Sequence, residues 1–236
     1  MTANDLPDKK AVLSQVWLFE GLPEEALDRI VPYTRTVRFK SGETIIEKGD
    51  PGTSMMAVGK GRVKIRSVFW DGREIVFNII DRGEVFGEIA LLDGQKRTAD
   101  AVAMNDTVLY VLERRDLQPI LHRQPEIAIR LLSVLCDRVR RTSEQVEDLM
   151  FLDQPLRLAK VLLWLAKRYG RPSDEGVALQ IHLSQRELGT LVGVRREAMN
   201  RQLSLWREAG LVIVENGIIT IADAQAFETM VEALED

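Results

Sequence analysis

The hydrophobic period of this sequence changes twice along the chain, and these changes limit the folds that it can adopt. Residues 9–33 carry apolar side chains at helical spacing, and Pro23 with two following acids marks the start of a helix. Between residues 36 and 112 the pattern becomes short alternating runs that are separated by glycine-rich turns. Strands are predicted at 37–40, 44–46, 55–58, 63–68, 75–80 and 108–112, with turns at Gly59-Lys60-Gly61 and Asp71-Gly72. This segment predicts a small antiparallel barrel or roll.

A helical period returns at residue 116, with a short helix over 116–122 and a long one over 125–151. Pro125 suits the first turn of the long helix. The apolar stripe of this helix advances in alternating short and long steps, which is the spacing of a coiled-coil seam. It consists of Leu132, Leu135, Val139, Thr142, Val146 and Leu149. The stripe predicts a dimer, and the alternative is a helix that packs on its own domain.

A second unit follows Asp153-Gln154-Pro155, which is predicted to break the long helix and act as a hinge. Helices are predicted at 156–169, 184–191 and 195–209, a polar loop at 171–176, a hairpin around Asn216-Gly217, and an acidic helical tail at 222–236. The fold class is therefore α+β, with an N-terminal β-roll, a long coiled-coil helix and a helical C-terminal domain.

Composition excludes several kinds of function. The chain has 236 residues, of which 45% are apolar and 29% charged, and its formal net charge of −4 argues against indiscriminate coating of nucleic acid. Cys136 is its only cysteine, and His122 and His182 are its only histidines, which leaves too few ligands for a zinc or iron–sulfur site. No catalytic motif occurs, so we expect no enzyme. Without a signal peptide or membrane span in the sequence, we expect a cytoplasmic protein.

The stretch over residues 83–99 has the chemistry of an anion and sugar site. Gly87 lets the backbone approach a ligand closely. The short helical turn after it can direct free backbone N–H groups at a phosphate. Arg97 offers a planar fork of donors to phosphate oxygens, and Glu88 can accept a hydrogen bond from a ribose hydroxyl. These are the groups that a cyclic nucleotide requires.

The same stretch closely resembles the phosphate-binding cassette of cyclic-nucleotide-binding domains. The motif Phe86-Gly87-Glu88-Ile89-Ala90-Leu91-Leu92, followed by Arg97-Thr98-Ala99, fills every position of that pattern. The resemblance implies that Glu88 holds the ribose 2′-hydroxyl, Arg97 the cyclic phosphate, and Thr98 the phosphate or the purine. It implies a site made of Gly87, Glu88, Ile89, Ala90, Arg97, Thr98 and Ala99. The alternative is a retained fold whose pocket is empty or takes another ligand.

Three residues of the long helix extend this resemblance. Thr142 and Ser143 occupy the place of a Thr-Ser pair that contacts the purine, the second residue coming from the partner subunit. Arg138 matches an arginine near the ligand, although such a residue is more often a solvated surface group. Thr142 and Ser143 suit adenine, whereas Thr98 is similar to cyclic-GMP-binding kinase sites. We therefore expect cyclic AMP (cAMP) as the allosteric effector, with cyclic GMP (cGMP) as the competitor, and no covalent cofactor.

Residues 184–203 read as a helix-turn-helix. Ser184 and Glu187 have the spacing of a capping box, and Gly193 permits the tight turn between the two helices. The second helix begins near Arg195, and its arginines suit phosphates and guanine edges. The alternative for such a charge cluster is a solvated face, but a glycine-bearing turn between capped amphipathic helices favours DNA binding.

This segment resembles the winged helix-turn-helix of the CRP/FNR family, and the resemblance covers residues 18–221, with members of the cyclic-AMP receptor protein type as the best match. It implies base contacts by Arg196, Glu197 and Arg201 on a palindromic operator with TGTGA-like half-sites. It implies phosphate contacts by Ser184, Gln185 and Arg186. Asn200 and Arg195 complete the DNA-binding set. Many relatives have Ser at this position. Arg195 cannot cap the second helix in the way that Ser does.

The expected protein is a homodimeric, cyclic-nucleotide-dependent transcription regulator. Its expected domains are a cyclic-nucleotide-binding roll with its N-terminal helices at 1–124, a dimerisation helix at 125–152, a hinge at 153–155 and a DNA-binding domain at 156–236. By family position, the loop at 171–176 would contact RNA polymerase. A family regulator with another ligand, or with none, is the alternative. The helix-turn-helix argues against a kinase regulatory subunit, and the sequence leaves the choice between activator and repressor open.

Overall fold

The computed structural model describes residues 9–215 and 217–233, and the chain divides into two compact units, Met1–Arg141 and Thr142–Asp236. The predictions for the extreme N-terminus, for Asn216 and for the end of the tail fall wholly or partly outside the described residues. In the part of the chain that is described, no helix has the length and apolar character needed to cross a membrane.

The first unit contains two four-stranded antiparallel sheets, as the roll prediction requires. One sheet has the strand order β1-β8-β3-β6 and the other has the order β2-β7-β4-β5. The strands are β1 (Thr34–Phe39), β2 (Thr44–Ile46), β3 (Ser54–Lys60), β4 (Val63–Val68), β5 (Glu74–Ile80), β6 (Val85–Phe86), β7 (Asp100–Ala103) and β8 (Thr107–Glu113). Apolar side chains from both sheets, including Val58, Val63 and Leu109, form one buried cluster. The cluster therefore joins the two sheets into a roll.

The helices of this unit cover a second buried cluster. They are α1 (Lys9–Ser14), α2 (Glu24–Ile30), a 3₁₀ helix (Val31–Tyr33), α3 (Glu88–Asp93) and α4 (Arg114–Arg123), followed by the start of α5 (Pro125–Phe151). Ile127 and Leu131 are the buried residues of α5. The predicted short N-terminal helices and the long helix are confirmed.

One predicted turn in the roll is wrong. Gly59 and Lys60 were expected in a turn, but both belong to β3, and only Gly61 has a positive φ, of 87°. A Cβ at Gly59 would lie 2.5 Å from the ring of Tyr110 on the neighbouring strand. Gly59 therefore allows two strands to pack closely and does not mark a turn.

The apolar stripe of α5 is mostly exposed in the single chain. Leu132, Val139 and Val146 expose 60%, 66% and 54% of their surface. The buried residues Ile127 and Leu131 belong to a different face of the helix. The alternative interpretation, in which the stripe packs on its own domain, is therefore wrong for these three side chains.

The second unit is built around a four-stranded sheet with the order β11-β12-β10-β9. Its elements are α6 (Gln154–Tyr169), β9 (Gly170–Ser173), β10 (Gly176–Leu179), α7 (Gln185–Val192), α8 (Arg196–Glu208), β11 (Val212–Glu215), β12 (Ile218–Ile221) and α9 (Ala224–Glu232). Phe227 of α9 is buried and lies against Trp206, with 4.6 Å between the ring centroids. The helical part of the predicted tail therefore belongs to the core of this unit.

Two local predictions in this region need correction. The segment 171–176 was expected to be a loop, but β9 and β10 pair as a hairpin, with Gly176 opposite Ser173. Pro172 is tolerated because β9 is an edge strand, where a missing N–H leaves no ladder bond unmade. Gln154 and Pro155 lie in the first turn of α6 rather than in the break, and Asp153 caps that helix by accepting a 3.0 Å hydrogen bond from Leu156 N.

Candidate functional site

The cassette begins at a sharp change of direction between β6 and α3. Gly87 has a φ of 80°, in the left-handed region that favours glycine, and it precedes the first helical residue, Glu88. A Cβ at Gly87 would also lie 2.8 Å from Nη1 of Arg97. Gly87 is therefore required both by its backbone conformation and by the side chain that packs on it.

Arg97 is a buried charge with no anionic hydrogen-bond partner among the described residues. Only 7% of its surface is exposed, and it donates hydrogen bonds to Gly87 O at 2.8 Å and to Ser54 Oγ at 3.1 Å. Both acceptors are neutral, and among the described residues Arg97 forms no ion pair. Burial lowers the pKa of Arg97 below its ordinary value, and the negative charges of Glu88, Glu113 and Asp50 oppose that shift.

Glu88, the first residue of α3, is fully buried. Its Oε1 accepts a hydrogen bond from Nη1 of Arg138, whose Nη2 donates to Val85 O at 2.6 Å. Its other oxygen, Oε2, is buried without a hydrogen-bond partner among the described residues. A buried acceptor without a partner is costly, so Oε2 is suited to a hydroxyl donor from a ligand.

The structure thus brings four of the predicted site residues together: Gly87, Glu88, Arg97 and Arg138. Arg138 is half-buried in an ion pair, so the alternative of a solvated surface group is wrong for it. Sequence reasoning missed Ser54, which holds the Arg97 fork from 43 positions away. The available signal was a polar residue at the start of β3, ahead of the apolar run Met55–Val58.

The other predicted ligand residues differ in their exposure. Ala90 is buried, and Ile89 and Ala99 are half-buried, whereas Thr98 is exposed. Thr142 and Ser143 are exposed residues of α5, in the second unit. Their predicted contacts with a ligand stay a prediction.

The second candidate site is built on α7 and α8. Ser184 caps α7 in the predicted capping box: Glu187 N donates to Ser184 Oγ at 3.2 Å, and Ser184 N donates to Glu187 Oε2 at 2.9 Å. Gly193 closes α7 with a φ of 76°. Arg195 is the N-cap residue of α8 and makes no side-chain cap, as expected from the sequence.

Helix α8 has one buried face and one charged, exposed face. Met199, Leu203 and Trp206 are buried. The exposed residues of the predicted DNA-binding set are Ser184, Arg186, Arg195, Arg196, Glu197, Asn200 and Arg201, and Gln185 is half-buried. Gln185 Nε2 donates to Asn200 Oδ1 at 3.1 Å, which joins the two helices through this face. None of the four arginines forms an ion pair within the described part of the chain, so their donors are available to a polyanion.

Comparisons with known proteins match both regions. Residues 36–124 match the cyclic nucleotide-binding domain family, and residues 156–230 match the Crp-like helix-turn-helix domain family. The chain is 33% identical over 216 residues to the CRP-like cAMP-activated global transcriptional regulator of Mycobacterium tuberculosis, which covers 91% of this chain and 96% of that protein. It is 32% identical over 186 residues to the global nitrogen regulator of Synechococcus elongatus, with coverages of 78% and 84%.

The fold also has close structural neighbours. A CooA variant from Carboxydothermus hydrogenoformans aligns with a TM-score of 0.77 at 21% sequence identity, covering 96% of this chain and 97% of that one. At that identity, the likeness concerns the fold alone.

Proposed function

Because this chain belongs to the CRP/FNR family of DNA-binding transcription regulators, we propose that it is a cAMP-dependent member that binds palindromic operators as a homodimer. The family consists of regulators and not of enzymes. The chain has a cyclic nucleotide-binding domain and a Crp-like helix-turn-helix domain, and the proposal concerns the effector, the operator and the oligomeric state.

The buried guanidinium of Arg97 is the observation that carries the proposal. A buried charge without a counter-ion is unfavourable, and a phosphate would supply both the charge and the acceptors that its fork requires. The unpartnered Oε2 of Glu88 adds an acceptor for a sugar hydroxyl. Together the two residues suit a ligand that carries a phosphate and a ribose.

The remaining ligand residues have assigned roles in this proposal. Gly87 and Ala99 supply backbone contacts, and Ile89 and Ala90 lie on the short helix that faces the phosphate. Thr98 contacts the phosphate or the purine, and Thr142 and Ser143 contact the purine, with Ser143 coming from the partner subunit. The name of the Mycobacterium tuberculosis relative, a cAMP-activated regulator, supports cAMP, and the free hydroxyl of Thr98 keeps cGMP as the competitor.

The dimer would form along the exposed stripe of α5. Leu132, Val139 and Val146 occupy one seam position of the coiled coil, and leaving all three in water is unfavourable. In the proposed mechanism, the nucleotide extends or re-registers residues 146–153, which sets the two copies of α8 one DNA turn apart.

On DNA, α8 would enter the major groove. Arg196 and Arg201 would bond guanine, and Glu197 would accept from cytosine, which gives TGTGA-like half-sites. The other members of the set, Ser184, Gln185, Arg186, Arg195 and Asn200, would fix its position on the backbone or on neighbouring bases. The exposed β9–β10 hairpin would contact RNA polymerase. The domain boundaries at 124 and 152 remain part of the proposal.

A regulator with another effector, or with none, is the second candidate, favoured by the likeness to a global nitrogen regulator. Fluorescence anisotropy with a labelled TGTGA palindrome distinguishes the two candidate functions. Binding is measured without nucleotide, with cAMP and with cGMP. We expect tight binding with cAMP and at least tenfold weaker binding without nucleotide. Equal affinity under all three conditions would contradict the gating proposal.

A further inference from the structure

The first unit has a cleft that none of the roles above uses. It lies between α2 with the following 3₁₀ helix on one side and α4 on the other, and its volume is about 440 Å³. Its principal lining residues are Arg29, Pro32, Tyr33, Arg115, Pro119 and Arg123. Pockets for small molecules have volumes of about 300–1,000 Å³, so the cleft is large enough for one.

The charge of the cleft is strongly positive. Arg115 and Arg123 stand eight positions apart on α4, with Pro119 midway, so all three share one helix face. Arg29 approaches from α2 on the opposite wall. Arg115 Nε lies 3.7 Å from Asp116 Oδ2, whereas Arg29 and Arg123 form no ion pair within residues 9–215 and 217–233. Two free guanidinium groups across one concave surface concentrate a positive potential there.

The walls of the cleft are apolar and aromatic. Tyr33 exposes 55% of its surface, a large value for an aromatic side chain, and Pro32 and Pro119 are exposed beside it. Two further lining residues are apolar, the buried Ala26 and the half-buried Ile120. An exposed aromatic ring between prolines gives a planar ligand a surface on which to stack, and arginine binds phosphate bidentately.

We propose that this cleft is a second ligand site, which binds a small organic polyphosphate with an aromatic ring. The ring stacks against Tyr33 and the two prolines, and the phosphates lie between Arg29 and Arg123. Asp116 and Gln124, which also line the cleft, supply an acceptor and an amide for the polar edge of the ring or its sugar. The site shares no residue with the cassette, so it stands independently of the cyclic nucleotide.

Titration calorimetry with ATP as the probe tests this site. The full chain is first saturated with cAMP, so that the cassette is occupied, and ATP is then added in buffer free of divalent cations. We expect one ATP per chain. The double variant Arg29→Gln/Arg123→Gln should weaken that binding at least tenfold and leave cAMP binding unchanged. The variant Tyr33→Ala should weaken it about threefold or more.

A matched double variant controls for general surface charge. Arg171→Gln/Arg207→Gln removes two exposed arginines far along the sequence from the cleft residues, and ATP binding should be retained. Equal weakening by the two double variants, or no saturable heat with ATP, would overturn the proposal. Tripolyphosphate that binds as tightly as ATP would overturn the aromatic part of the ligand assignment.

A repeat of the titration in Arg97→Leu separates the two sites. If the chain does not bind cAMP at all, the proposed function fails, but ATP should still bind the cleft of this variant with unchanged affinity. Loss of ATP binding in Arg97→Leu, with the circular dichroism spectrum unchanged, would show that ATP had been in the cassette and would overturn the second site.

Discussion

The two candidate sites use arginine in opposite ways. In the cassette, Arg97 and Arg138 are buried or half-buried, and each donates hydrogen bonds to two protein acceptors. On α8, Arg196 and Arg201 are exposed and form no ion pair within the described residues. The first arrangement fixes the geometry before a ligand arrives, whereas the second leaves flexible side chains for the DNA to order.

This contrast predicts whether each site lowers the stability of the folded chain or only the free energy gained on binding. A preorganised buried charge lowers the stability of the folded chain, because the charged group is removed from water whether or not the ligand is present. A free surface arginine costs nothing in the folded chain and loses side-chain entropy only on binding. Substitutions in the cassette should therefore affect folding and binding together in ways that depend on the residue, whereas substitutions on α8 should affect binding alone.

The largest effect is expected for Arg97→Leu. Removing the phosphate fork should weaken cAMP binding about 1,000-fold, or about 4 kcal/mol, in titration calorimetry. The urea midpoint of the ligand-free protein should stay the same or rise. Burial lowers the pKa of Arg97, which means that folding disfavours its charged form, so an apolar side chain relieves that cost.

Arg97→Lys is the matched control for the fork, since it keeps the charge and loses the planar donors. Its affinity should fall between those of the parent chain and Arg97→Leu. Binding of cAMP by Arg97→Leu within tenfold of the parent affinity would remove the basis of the proposed effector site, and a large drop in its stability would contradict the comparison above.

The second-largest effect is expected for Arg138→Met, which should lower the stability of the folded chain. Loss of this side chain leaves the buried carboxylate of Glu88 without its charged partner, which should lower the free energy of unfolding by about 3 kcal/mol. Urea unfolding followed by circular dichroism measures the loss. The double variant Glu88→Gln/Arg138→Met should recover part of it, because no uncompensated charge remains.

Arg140→Met is the control for the helix itself. Arg140 pairs with Asp137 on the exposed surface of α5, where an ion pair contributes little. A similar loss of stability in Arg138→Met and Arg140→Met would mean that helix propensity, and not the buried pair, sets the cost.

The two sites also differ in how far the sequence predicts them. The helix-turn-helix depends on short-range chemistry: Ser184 with Glu187, and Gly193 at the turn, lie within ten positions of one another and were all predicted. The cassette depends on partners distant in sequence. Arg138 and Ser54 lie 50 and 43 positions from the groups that they hold, and no periodicity encodes such pairings.

The failed local predictions have a similar origin. Gly59 in β3 and Pro172 in β9 are turn formers by local rule, and both lie in strands. Gly59 is there because Tyr110 of the neighbouring strand needs the space, and Pro172 because its strand lies at a sheet edge. Both reasons are properties of the assembled sheet, which the sequence around each residue does not contain.

On the DNA side, Arg196→Ala should weaken operator binding about 30-fold, or about 2 kcal/mol, in anisotropy titrations with cAMP present. Because the side chain is exposed and forms no ion pair with any described residue, the free energy of unfolding should change by less than about 0.5 kcal/mol. Arg207→Ala, in the last turn of the same helix, serves as the control and should bind the operator nearly as well as the parent chain. A marked loss of stability in Arg196→Ala would show that α8 is not a free surface.

The smallest effect is expected at Arg195, where the same substitution should raise the stability of the chain and weaken its contact with DNA. Arg195 has the extended backbone of an N-cap but makes no capping hydrogen bond, so Arg195→Ser should stabilise the chain by about 1 kcal/mol in urea unfolding. The same variant loses one phosphate contact, which should lower the slope of operator affinity against salt concentration by about 1. Arg195→Ala removes the arginine without adding a cap, so it should show the change in slope but not the gain in stability. An equal gain in both variants would mean that the arginine charge, and not the missing cap, sets the stability at this position.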